Sequence, residues 1–189
     1  ISNPLYTAAD FAFSGTASVT GTDAGTNAMG LTATQFENIS HNFTNVEFTV
    51  TDGWLKIDPM ALTITADSGS KVYDGTALTK NSYTSTDPAA GDTLASVTVT
   101  GSQTNAGSSD NTFTYTLNPG TKAKNYTVET EPGKLTVTPV TAEVTVTITG
   151  NKSTVTYNGA EQSVTGYKVE SISNPLYTAA DFAFSGTAS

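Results

Sequence analysis

Thr112-Phe113-Thr114-Tyr115-Thr116-Leu117 alternates without interruption between a polar β-branched residue and a large apolar one. A period of two belongs to an extended strand, whose successive side chains leave opposite faces, so Phe113, Tyr115 and Leu117 are expected to face a core while the threonines face water. The same pattern recurs in both directions along the chain. Val97 and Val99 alternate with Thr98 and Thr100, and Val144, Val146 and Ile148 alternate with Thr145, Thr147 and Thr149. Such alternation predicts antiparallel sheets with one wet face.

Composition agrees with a sheet protein built from small cores. Leu, Ile, Val and Phe supply only 37 of 189 residues, and a further 37 are Thr, whose branched side chain suits the solvent face of a strand. Eight lysines and no arginine stand against seventeen acidic residues, giving a net charge of −9. That balance argues against nucleic acid and against an anionic membrane surface, both of which require a basic footprint. With no cysteine, neither disulfides nor thiolate metal sites are available. The longest apolar runs fall well short of a membrane span, so no membrane insertion is expected within this segment.

The first eighteen residues, Ile1 to Ser18, return letter for letter as Ile172 to Ser189. Identity over that length implies a parent array repeating with the offset from Ile1 to Ile172, a period of 171 residues. A second, more divergent repeat lies inside that period. Asn45–Pro59 aligns with Asn125–Pro139, Val72-Tyr73-Asp74-Gly75-Thr76 with Thr156-Tyr157-Asn158-Gly159-Ala160, and Asn105-Ala106-Gly107 with Asp23-Ala24-Gly25. The chain therefore divides into residues 1–59, the C-terminal part of a type B module; residues 60–139, a complete type A module; and residues 140–189, the N-terminal part of the next B.

Strands are expected in A at Leu62–Ala66, Lys71–Tyr73, Val97–Thr100, Thr112–Leu117, Asn125–Glu129 and Lys134–Thr138. In B they are expected at Glu143–Thr149, Thr154–Tyr157, Phe182–Phe184 with its copy Phe11–Phe13, Met29–Thr32, Val46–Val50 and Trp54–Ile57. Turns at Asp52-Gly53 and Pro132-Gly133 suggest hairpins, and Asp87–Ala90 and Thr178–Asp181 suggest a single helical turn each. Asp74-Gly75 and Asn158-Gly159 suit tight turns with positive φ at glycine, the preceding tyrosine packing beneath. Trp54, the lone tryptophan, is expected to cover the seam between B and the following A. Prolines at Asp58-Pro59-Met60 and Thr138-Pro139-Val140 leave no flexible linker, so neighbouring modules are expected to stack at a restricted angle and form an elongated rod. An Ig-like sandwich is the first expectation for each all-β module, with a β-grasp-like sheet as the alternative.

Tyr73-Asp74-Gly75, the Asn105-Ala106-Gly107 turn, Asn125-Tyr126 and the closing Gly133-Lys134-Leu135-Thr136-Val137 resemble the YDG and MBG families of bacterial adhesin repeats. The B sequences, with Tyr157-Asn158-Gly159 and Asp52-Gly53-Trp54-Leu55-Lys56-Ile57, look like a sister type from the same arrays. The resemblance implies long, surface-displayed or cell-wall-anchored proteins of Gram-positive bacteria in which such modules form stalks. It carries over no catalytic residues.

The chain's own chemistry points the same way. Its only histidine, His41, sits in the polar loop Asn38–Asn42, so a nucleophilic triad has no well-placed base. Asp52, Asp67, Asp74, Asp87, Asp92 and Asp110 lie at turns. Asp52, Asp58 and Asp67 bracket a joint where calcium would be conceivable, but no D-x-D-x-D-G loop is present. Lys71 is the lysine best placed for an intramolecular isopeptide bond, its ordinary fate being to snorkel to water. The expectation is a non-enzyme without cofactor, metal or catalytic residues. Its expected partners are neighbouring copies of the same repeat, head to tail, completing the split B module in trans. The alternatives are binding of host glycan or protein by avidity, or service as an accessory domain of a carbohydrate-active enzyme.

Overall fold

The computed structural model describes residues 1–186. The fold is all-β. Among the described residues fourteen strands follow one another: β1 (Phe11–Phe13), β2 (Gly25–Ala28), β3 (Phe36–Asn38), β4 (Trp54–Ile57), β5 (Met60–Ala66), β6 (Gly69–Val72), β7 (Tyr83–Ser85), β8 (Leu94–Val99), β9 (Gly107–Asn111), β10 (Phe113–Leu117), β11 (Tyr126–Glu131), β12 (Gly133–Thr138), β13 (Val146–Gly150) and β14 (Tyr167–Ile172). Their contacts resolve into two compact units. The first comprises Ile1–Ala66, Ser82–Val99 and Phe113–Pro132, and the second Asp67–Asn81, Thr100–Thr112 and Gly133–Ser189.

In the first unit β5 is the centre of a three-stranded sheet, parallel to β11 and antiparallel to β7. The alternation read from the sequence is realised in β5, where Leu62, Ile64 and Ala66 are buried and Thr63 and Thr65 are not. Three antiparallel pairs complete this unit: β8 with β10, β1 with β3, and β2 with β4.

The second unit repeats the mixed arrangement around β12, which lies parallel to β6 and antiparallel to β9, with Leu135 and Val137 buried. Asn111 closes it from inside. Its buried amide donates from Nδ2 to the carbonyls of Asp67 and Lys80, both at 2.8 Å. Gly101 lies against this side chain, and a Cβ there would overlap both Oδ1 and the Asn111 backbone. The antiparallel pair of β13 and β14 belongs to the same unit.

The parallel pairs β11–β5 and β12–β6 were not expected from the alternation, because period two reports which face is wet and not the direction of the neighbour. They also remove the expected hairpin at Pro132-Gly133. The strands on either side of that turn, β11 and β12, belong to different sheets. No hairpin forms at Asp52-Gly53 either: β4 pairs with β2, and Val46–Val50 lies in no strand. Thr154–Tyr157 and Phe182–Phe184 are also outside strands, and the strand expected at Met29–Thr32 lies earlier, at Gly25–Ala28.

Asp87–Ala90 makes no helical turn; a turn at Ala90 and Gly91 is closed by the Asp92 amide on the Ala89 carbonyl. The Thr178–Asp181 segment is a turn, whereas its identical N-terminal copy makes one turn of 3₁₀ helix at Ala8–Asp10.

The B fragments reuse A's ladders at counterpart residues. Ile64↔Ser85, Thr65↔Thr84 and Ala66↔Tyr83 in A become Ile148↔Val169, Thr149↔Lys168 and Gly150↔Tyr167 in B. Gly107↔Val137 and Ser109↔Leu135 become Gly25↔Ile57 and Asn27↔Leu55. Leu94↔Leu117 becomes Ala12↔Glu37. An ancient duplication inferred from turn residues thus extends to the register of the sheets.

Candidate functional site

A charged cluster of the first unit lies at the joint where the leading B fragment meets A. Only Asp58 and Pro59 separate β4 from β5, so the chain cannot swing far before the next ladder begins. Beside that connection, the Asp23 carboxylate accepts from Lys122 Nζ at 2.8 and 3.1 Å and from Asn125 Nδ2 at 3.1 Å. Lys124 Nζ adds a contact at 3.1 Å. Asn125 returns the bond, its Oδ1 accepting from the Ala24 amide at 2.8 Å.

Hydrogen bonds from Lys122 first, then Asn125 and Lys124, hold the Asp23 carboxyl well below the usual carboxylate range. A cleft of about 160 Å³ beside it includes Ala24, Ile57, Met60, Asp92, Asn125 and Tyr126 in its lining. At its floor the Tyr126 hydroxyl donates to Asp92 at 2.6 Å and accepts from the Ala89 amide at 2.9 Å. The hydrogen bond to Asp92 is the main cause that raises the Tyr126 pKa. The cluster is self-neutralising and small.

The sequence missed this clamp, although the signal was present. Asp23 stands where A has Asn105, an acid replacing an amide in an otherwise matching turn. Its partners lie in sequence near Asn125, a residue noted only as part of a repeat.

The Tyr-Asp/Asn-Gly turns form a second recurrent device. Gly75 and Gly159 have φ of +79° and +74°, as anticipated, a conformation that favours glycine. Both are Asx turns: Asp74 Oδ1 accepts from the Thr76 amide at 2.9 Å, and Asn158 Oδ1 from the Ala160 amide at 3.0 Å. Each is held by a long side chain. Lys71 Nζ donates to Asp74 at 2.6 Å and to the Thr76 carbonyl at 2.7 Å, and in B Gln162 Nε2 donates to Asn158 and to the Thr156 carbonyl, both at 3.0 Å.

The charged pair in A is thus replaced by a neutral pair in B. Lys71, Thr76 and the turn amide hold the Asp74 carboxyl well below its ordinary range, Lys71 being the largest cause. Lys71 does not snorkel freely, since its head is occupied within the turn. Nor does the tyrosine pack beneath both turns: Tyr73 is half-buried, but Tyr157 is 91% exposed.

Other residues weighed from the sequence are scattered. His41 lies exposed in its loop. Asp52 accepts from the amides of Leu31 and Gly30, at 2.7 and 3.0 Å, which lowers its pKa. Asp58 pairs with Lys56, and Asp110 stands opposite Lys134 on β9 and β12. Among the described residues no three His, Cys, Asp or Glu side chains gather in a way that could hold a metal ion. Trp54 covers no seam. It stands 65% exposed, since its strand presents it on the wet face opposite Ala28.

An all-β chain of small sheets carrying the same turn and ladder in successive modules defines a repeat module. Residues 62–136, within the A segment, match the family model of the MBG domain, YGX type. Domains of this family are typically extracellular surface repeats. No curated protein and no solved structure matches the chain. Among the described residues no helix is long and apolar enough to cross a membrane.

Proposed function

We propose that the chain is a structural repeat of a large bacterial surface adhesin, a non-enzymatic spacer that carries an adhesive domain away from the cell. The observation that carries this reading is the perfect recurrence of Ile1–Ser18 as Ile172–Ser189, the mark of an array whose period is 171 residues. Arrays of near-identical modules serve reach and valency, and the Asp23 clamp with its two-residue connection is the feature an angle-keeping joint requires. An extracellular, cell-wall-anchored setting in a Gram-positive bacterium follows from the adhesin reading.

The test is scattering from chains of one to four 171-residue periods. A spacer gives a maximum dimension that rises in proportion to the number of periods; growth with the square root of that number, as for beads on a slack string, contradicts it.

A second reading has one observation in its favour. Trp54 presents an exposed indole once in every period, a surface suited to stacking on sugar rings, and repetition would multiply a weak contact into avidity. Glycan-array binding that increases with period number and disappears in Trp54→Ala chains supports that reading over a pure spacer.

A further inference from the structure

The chain contains two joints between modules, one entering A at Asp58-Pro59 and one leaving it at Pro139-Val140, and they are built from different chemistry. At the entering joint B offers a carboxylate and A offers cations: Asp23 accepts from Lys122 at 2.8 Å and stands 3.1 Å from Lys124. At the leaving joint the contact is apolar. A Cβ on Gly75, in the Tyr-Asp-Gly turn of A, would lie 2.9 Å from Cδ2 of Leu176, in the B that follows.

The internal repeat shows what each joint lacks. Asp23 in B corresponds to Asn105 in A, and Lys122 and Lys124 in A correspond to Asn42 and Thr44 in B. The ladders fix these equivalences, since Leu94↔Leu117 matches Ala12↔Glu37 and Gly107↔Val137 matches Gly25↔Ile57. All three charges are therefore missing where A precedes B. Asn125, by contrast, corresponds to Asn45, so the side chain that bonds the Ala24 amide is present in both modules.

The leucine is equally particular to B. Leu176 sits in the loop Asn174-Pro175-Leu176, where A reads Asp87-Pro88-Ala89. Ala89 lies at the entering joint, lining the small cleft with Thr22 and Ala24. The B loop takes its shape locally: Asn174 Oδ1 accepts from the Leu176 amide at 2.9 Å, and in the identical N-terminal copy Asn3 Oδ1 accepts from the Leu5 amide at 3.0 Å. What differs is the neighbour. Leu5 has no A before it in this chain and is 77% exposed, whereas Leu176 follows A and is 39% exposed. Both sides of the contact are held. Lys71 braces the turn through Asp74 at 2.6 Å and the Thr76 carbonyl at 2.7 Å, and Ser173 Oγ ties the loop to its own module by accepting from the Thr145 amide at 2.9 Å.

We propose that the joints alternate in chemistry along the array, and that the charged one selects A as the module that follows B. A second B in that place would set Asp23 against Asn42 and Thr44, a carboxylate without its cations; two successive A modules would set Lys122 and Lys124 against Asn105, cations without an acid. The neutral joint closes instead on Leu176 at the glycine of the Tyr-Asp-Gly turn. Salt therefore loosens one joint in each period and spares the other. The proposal deepens the spacer reading and takes its biological sense from it. The two fail separately, because arrays can lengthen in proportion with joints indifferent to module order.

The full chain holds both joints, so one protein reports on each. The variant Lys122→Asn with Lys124→Thr gives A the residues that B carries. In the unmodified chain, hydrogen exchange at the Ala24 amide is expected to rise at least threefold as salt is raised from about 0.02 M to about 1 M. In the variant it is expected to be at least threefold faster already at low salt and to respond no further, while the amides of β5 keep their protection. A nuclear Overhauser contact between the Leu176 methyls and the Gly75 α-protons is expected in both proteins at both salt concentrations. Equal Ala24 exchange with and without the lysines at low salt overturns the selection of A by charge. Absence of the Gly75–Leu176 contact, or its loss in high salt, overturns the alternation.

Discussion

Ile64 and Ile148 occupy the same rung of the same antiparallel ladder, opposite Ser85 and Val169, yet Ile64 is sealed from water and Ile148 is 48% exposed. The local sequence does not cause the difference, for both sit in strands that alternate with threonine. Ile64 has a second neighbour, Thr130 of β11, and Ile148 has none on that side. Sealing such a side chain is worth about 1.5–3 kcal/mol.

The two isoleucines should therefore respond differently to truncation. Ile64→Ala is expected to lower unfolding stability by about 2–5 kcal/mol, and Ile148→Ala by less than about 1 kcal/mol in dilute protein, because an exposed side chain leaves no cavity. Urea titrations of both variants at low concentration check this, with equal losses counting against the burial argument.

Asn111, itself fully buried, donates to two carbonyls at once, those of Asp67 and Lys80. Replacing it with alanine removes both hydrogen bonds from a fully buried site and should cost about 1–3 kcal/mol. Gly101→Ala should cost about 1–3 kcal/mol by overpacking against the same side chain. The double variant Asn111→Ala with Gly101→Ala should lose less than the sum, as measured by a chemical-denaturation cycle.

Acid should weaken the fold through Asp23 and Asp74. Both have folded-state pKa values below the ordinary 3.8, so they favour the folded form fully above 3.8, and that contribution is lost as pH falls from there toward their lower folded-state values. The melting temperature should be flat from neutrality to about pH 5 and fall below pH 4. Asp74→Asn should remove part of that fall. Module B, whose turn carries the neutral Asn158–Gln162 pair, offers no such change at its own turn.

The joint clamp should show itself in local motion more than in global stability. Asp23→Ala removes the acceptor that Lys122, Lys124 and Asn125 share, so Asn125 loses the contact that orients its Oδ1 toward the Ala24 amide. Hydrogen exchange at Ala24 should accelerate at least tenfold, while the amides of β5 keep their protection.

Much of this fold could be read in the residues. The alternation of Thr with Val, Ile, Phe or Tyr located all six expected strands of module A to within a few residues, because each strand has one wet face and one dry one. What alternation cannot encode is the neighbour. β11 and β12 flank Pro132-Gly133 as a hairpin would, yet each turns to a different sheet.

The repeated eighteen residues make the same point within one chain. Phe11–Phe13 is a strand because Phe36–Asn38 lies beside it, with Phe11 packed against Tyr6, Phe36 and Phe48; the identical Phe182–Phe184 has no such neighbour and is not a strand. Local motifs survive the change of context. Thr7 and Asp10 bond to one another at 2.8 Å, as do Thr178 and Asp181, because those bonds close within four residues. The Asp23 clamp was hidden for the opposite reason, its partners lying far along the chain.

The account rests on B being one module that this chain carries in two parts. It is tested most directly by a chain that reads Met60 to Ser189 and then continues Val19 to Pro59, holding A and B each in unbroken order. Amide exchange at Val46–Val50 and Thr154–Tyr157 is the measurement. Both segments should become protected to the level of β11 and β6, in dilute solution and without self-association; if they exchange as freely as in the present register, B does not share A's fold and the account is wrong.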